Sequence, residues 1–180
     1  MPKKITIPEA ELFNEATGEF SYVKGQTITL EHSLVSISKW EAKWKKSYIS
    51  VGPQTPEEFL DYLRCMTITQ NVDPNLYLTL SPQVLKEIQE YMEDAACATT
   101  FSNSGGPKNK EIITAEIIYF WMSEHNISME CQKWHINRLL ALIQVCAIKR
   151  GDQKKMPKNA IMSQNTDLNE QRKKALKTKG

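Results

Sequence analysis

Cys131 and His135 stand four residues apart in the segment CQKWHINRLL, just ahead of an apolar run. On a helix that spacing turns a thiol and an imidazole to the same side, and zinc favours both as ligands. A structural zinc site normally takes four ligands, yet the other cysteines, Cys65, Cys97 and Cys146, supply no second close pair. His32 and His125 are distant in sequence. Cys146 returns to nearly the same helical face only about 22 Å further on by the helical rise, too far to share an ion with Cys131. Neither a metal nor a cofactor is expected, and the segment reads instead as part of a buried helix, with Cys131, His135, Leu139, Leu142 and Cys146 along one side of it.

Nucleophilic catalysis needs a nucleophile, a base and an orienting group brought together. The chain carries no G-x-S-x-G, H-E-x-x-H, G-x-x-x-x-G-K-[ST] or G-x-G-x-x-G pattern. Gly105-Gly106 precedes a helical stretch but follows no clear strand and lacks phosphate-loop spacing. The expectation is a protein that is not an enzyme. Nucleic acid is a weaker candidate partner: Trp40 and Trp44 lie among Lys39, Lys43, Lys45 and Lys46, and Arg172, Lys173, Lys174, Lys177 and Lys179 form an electrostatic arm. The alternative is that both tryptophans enter the core while the lysines stay in water.

Charge is unevenly spread behind the net value of +2: residues 149–180 hold ten Lys/Arg against three Asp/Glu, and residues 1–148 thirteen against eighteen. A mildly acidic body with a basic tail is expected. The four cysteines lack any Cys-x-x-Cys pair and read as reduced, mostly buried thiols. No apolar stretch nears the roughly 20 residues a spanning helix needs, and MPKKITIPEA lacks a secretory apolar segment. No membrane association is expected, and the cytoplasm is the expected location.

The elements that position these residues follow from period and punctuation. ITI, ELF, EFSYV and QTITL alternate as strands around Asn14–Gly18 and Lys24-Gly25, predicting an antiparallel hairpin or meander. Pro8 lacks a backbone donor, so its segment lies at an edge or starts afresh after it. Leu34, Ile37, Trp40 (or Glu41) and Trp44 then recur at helical spacing, with Ser33 as a cap. Thr55-Pro-Glu-Glu opens a helix to about Met66, and Ser81-Pro opens another bearing Leu85, Ile88 and Met92. TITQNVDPNLYLTL reads as loop or short strand, and SNSGGPKNK as the clearest break. EIITAEIIYFWMSEHN predicts a helix carrying Phe120 and Trp121, and Met129 to Lys149 another, the two forming an antiparallel hairpin with Trp134 at its bend. The expected fold is mainly α (α+β): a β-hairpin or meander over 1–31, a helical body over 32–150, and a basic arm over 151–180.

Three stretches, LEHSLVSISKWEAKWKKSYIS, MTITQNVDP and ECQKWHINRLLALIQVC, followed by KKMPK and a basic polar end, resemble small tail-gene-cluster proteins of siphophages and prophages associated with tail assembly chaperoning. The resemblance spans about residue 5 to residue 180. It implies a mainly helical protein in the host cytoplasm during infection or prophage induction. Such a protein binds and solubilises the tape-measure protein and recruits tail tube subunits, and often occurs as a short form and a frameshifted longer form. Trp40, Trp44, Phe120 and Trp121 are the candidate client-binding residues. The strand-rich first 30 residues equally suit a structural virion component, a head-tail connector or tube-associated protein, whose basic arm contacts neighbouring subunits; a homo-oligomer is open. A phage nucleic-acid-associated protein is the third reading.

Overall fold

A computed structural model of the chain describes residues 2–14, 18–99 and 112–150. The chain divides into a unit of residues 1–145 and a unit of residues 146–180. In the second, the described residues are 146–149, the end of a helix, and Arg150; the arm residues Arg172, Lys173, Lys174, Lys177 and Lys179 lie outside the described residues, and so does the 102–110 break of the first unit.

The strands among residues 3–14 and 19–30 follow one another as an antiparallel ribbon. Strand β1 (Lys3–Ile7) pairs with β4 (Gln26–Leu30), and β2 (Ala10–Asn14) with β3 (Glu19–Val23). Ile7 pairs with Gln26 and Ala10 with Val23, so the register runs through the interruption without slipping. The break falls where the sequence places Pro8, which cannot donate to the ladder. Opposite it, a Cβ on Gly25 would sit 2.7 Å from the Glu9 backbone nitrogen, so this crossing admits only glycine without a shift. The buried face changes parity there on both strands. Ile5, Ile7, Ile28 and Leu30 are buried on one side of the break, and Val23 with the half-buried Ala10 and Leu12 on the other. The ribbon therefore turns over at Pro8 and Gly25.

The regular elements that follow among the described residues are helices, as a mainly α (α+β) chain should have. Helix α1 (Leu34–Trp44) buries Leu34, Ile37, Trp40 and Glu41 on one face, in keeping with its period. Ser33 does not cap it; the hydroxyl donates to the Glu31 carboxylate instead, at 2.9 Å. Helix α2 (Pro56–Met66) has the expected Thr55 cap and first-turn proline, and α3 (Pro82–Glu93) the expected Ser81 cap. TITQNVDPNLYLTL resolves into both readings. Thr67 bridges Leu30 as a third strand fragment, and Pro74–Leu78 forms a 3-10 turn. Helices α4 (Ala115–Glu124) and α5 (Ile136–Lys149) complete the order. No helix among the described residues is long and apolar enough to cross a membrane.

Two expectations at the C-terminal end are corrected. Met129–Lys133 is a separate 3-10 turn, Trp134 is extended, and α5 begins only at Ile136. The cause is tertiary: His135 bridges Ser33, and the Ile136 N–H donates to the His32 carbonyl at 2.9 Å, which pulls the chain out of helical geometry. The predicted α4–α5 hairpin also gives way, since the main helical neighbour of α4 is α1. Glu41 explains why: Thr114 provides no side-chain cap, and the Glu41 carboxylate accepts the Ala115 N–H at 2.7 Å.

Candidate functional site: a cleft over a histidine-tyrosine cluster

The residue that links the ribbon to the helices is His32, placed between β4 and α1. Its backbone N–H donates to the Tyr91 hydroxyl of α3 at 3.1 Å, and its Nδ1 shares a 2.6 Å hydrogen bond with the Tyr62 hydroxyl of α2. Tyr62 stacks on Tyr48, with ring centroids 4.0 Å apart. His135 closes the group, its ring 5.0 Å from that of His32 and 5.2 Å from that of Tyr91.

Hydrogen bonding assigns the His135 tautomer. Its Nε2 faces the Tyr91 carbonyl at 2.9 Å and must carry the proton, which leaves Nδ1 to accept the Asn137 N–H at 3.3 Å. His135 is thus the N-terminal cap of α5. Asn137 in turn donates to the Met92 and Asp94 carbonyls, so the start of α5 satisfies acceptors that the end of α3 leaves open.

Electrostatically the cluster is neutral. Burial, with the neighbouring His135 adding to it, pushes His32 down to about 3. Burial also lowers His135, against the opposing bond to Tyr91. Burial raises Tyr48, Tyr62 and Tyr91 above the ordinary phenol range, Tyr62 by a wide margin. Around neutral pH His32 is uncharged and the three phenols keep their protons. The arrangement can hydrogen-bond and stack, and the shifts move these groups away from the range in which a general acid or base exchanges protons.

Above the cluster lies a cleft of about 600 Å³. His32 and Tyr48 form its floor, and Pro53, Phe59, Leu85 and Met92 its apolar walls. Gln89 and Glu93 add polar groups from α3. Phe59 comes from α2 and Leu85 and Met92 from α3, so the cleft runs between two helices.

The residues singled out from the sequence are placed unevenly. Trp40 is fully buried and donates its indole N–H to the Glu58 carbonyl at 2.9 Å, so it presents no surface to a partner. Trp44 is half-buried and donates to Asp61 at 2.9 Å. Lys43 and Lys46, which could have held phosphate beside them, reach Asp61 and Glu58 at 2.5 and 2.6 Å. Trp121 is half-buried against the core, while Phe120 beside it is 61% exposed. Cys131 is buried in its 3-10 turn, and all four cysteines are free thiols. Among the described residues no three His, Cys, Asp or Glu side chains are grouped to hold a metal.

Sequence reasoning missed the cluster. His32 appeared only as remote from His135, and the tyrosines carried no local signal, because what unites them is long-range pairing of residues 32–33 with 135–136. Compared with known proteins, the chain matches no protein-family model, no curated protein and no solved structure.

Proposed function

We propose that this chain is a non-enzymatic tail-morphogenesis protein of a siphophage or prophage. In this reading it holds apolar helical segments of a tape-measure-type client in the cleft, keeps that client soluble, and recruits tail tube subunits to it. The observation that carries the proposal is the cleft itself, with apolar walls from two helices over a neutral floor. An amphipathic client helix offers apolar anchors at i, i+3 and i+4, and a groove between helices receives them. The volume lies within the roughly 300–1,000 Å³ of binding pockets, and Met92 gives the wall an adaptable side chain. The stretches that carry the resemblance support it too: one supplies His32 and Tyr48, another His135. Phe120 offers a second apolar contact.

Co-expression with the neighbouring tape-measure-like product is the test. The client should stay soluble and co-purify with this protein. Leu85→Glu and Met92→Glu should lose co-purification while circular dichroism still reports the folded chain, and Lys86→Glu, on the same helix but outside the cleft walls, should retain it. A client that is soluble yet never co-purifies, or that both cleft variants still hold, overturns the reading.

A further inference from the structure

The outer half of the ribbon carries a surface that the proposed function does not use. Phe13 and Phe20 are directly paired across β2 and β3, with ring centroids 4.9 Å apart, and are 54% and 71% exposed. Tyr22, on the same face, is 61% exposed and donates its hydroxyl to the Glu9 carboxylate at 2.5 Å. Glu11 lies opposite Tyr22 in the register, so two carboxylates flank three exposed rings. Residues 5–23 hold four glutamates and no lysine or arginine. Buried Val23 and Ile7 fix the base of the ribbon, which then turns over at Pro8 and Gly25 and presents this face to solvent.

The chemistry of the face specifies a cation-rich occupant. Aromatic ring faces attract ammonium and guanidinium groups, and adjacent carboxylates add charge complementarity. At about 200 Å² per ring side chain, the exposed aromatic surface is roughly 350 Å², well short of the area a rigid face-to-face dimer buries. An extended segment suits it better, because β2 and β3 form a two-stranded sheet in which, among the described residues, each strand has one edge without a strand partner. This chain carries a matching sequence, QRKKALKTK, with Arg172, Lys173, Lys174, Lys177 and Lys179 and no carboxylate.

We infer that the acidic aromatic face of the β2–β3 ribbon, Phe13, Phe20, Tyr22, Glu9 and Glu11, binds the 172–179 segment of a second copy, linking copies by exchange of arms. The contact is electrostatic and aromatic, hence weak singly and reinforced when two copies exchange arms reciprocally.

Sedimentation of the full chain in 50 mM and 500 mM NaCl tests this with two variants. One replaces Phe13 and Phe20 by Thr, which keeps strand propensity. The other changes Arg172, Lys173, Lys174, Lys177 and Lys179 to Gln, leaving the described body untouched. The wild type should self-associate in 50 mM NaCl and weaken about tenfold in 500 mM. Each variant alone should weaken at least tenfold, with circular dichroism unchanged. Mixing the two should restore part of the association, because each supplies the half the other lacks. A wild type that stays monomeric in 50 mM NaCl, a variant that associates like wild type, or a mixture no better than its parts overturns the inference. None of these outcomes bears on the cleft, whose client-binding test stands separately.

Discussion

Glu41 is a buried carboxylate on α1 whose two oxygens accept backbone N–H groups, from Tyr48 at 2.7 Å and from Ala115 at 2.7 Å. Its charge faces the N-terminal end of α4, where a negative group is favoured by the helix dipole. Glu41→Gln keeps the shape but replaces one acceptor by a donor, so one backbone N–H is left facing another. The expected cost is roughly 1–3 kcal/mol, read as a lower urea midpoint with an unchanged slope, and a variant as stable as wild type would discard this account. Helical spacing placed Trp40 or Glu41 toward the interior, and both are there. What met them was not legible: period gives a direction, whereas the partner of Glu41 lies 74 residues on. The same limit applied to Cys131 and His135. Their spacing suggested a shared helical face, but His135 caps α5 and meets the His32 ring edge-on while Cys131 packs in another turn.

Among the elements, α2 and α3 were legible because their starts are written locally. The Thr55 and Ser81 hydroxyls accept the backbone N–H of the residue three further on, Glu58 and Val84, and a proline follows each. The start of α5 was not, since apolar spacing continues through a point where pairing with residues 32–33 overrides it. That junction has an energetic role: Asn137 donates to the Met92 and Asp94 carbonyls at 3.3 and 2.8 Å, closing the end of α3. Asn137→Ala removes both donors and should cost about 1–2 kcal/mol in urea unfolding. Because solvent can reach this helix end, amide exchange is the sharper readout. Protection should fall for the last turn of α3 and persist in α2; a uniform loss along both helices would mean that Asn137 supports the whole fold rather than this junction.

For the whole molecule, the class was legible from the change of period after Leu30, from alternation to helical spacing. The cluster was not, because its five rings come from five separate parts of the chain. It also governs how stability depends on pH. His32 titrates near 6.5 when unfolded and at about 3 when folded, and His135 is lowered as well. Between 6.5 and about 3 the unfolded chain binds more protons at His32, so stability falls as pH falls from 6.5, by about 1.4 kcal/mol per pH unit for His32, and His135 adds to the loss in the same direction. Glu58 is held below its ordinary 4.5 by the Gln54 N–H and then by Lys46. Asp61 is held below 3.8, the bonds from Lys43 and Trp44 outweighing its burial. Their contributions are present above those values and are lost below them, so the interval from pH 6.5 to 4.5 reports the histidines alone among these groups. Urea unfolding across that interval should show a steep acid loss in the wild type. His32→Asn keeps a polar group for the Tyr62 hydroxyl, and should be less stable at pH 7 but lose one proton's share of the slope. An unchanged slope would move the acid sensitivity to His135, whose protonation takes away the acceptor that caps α5.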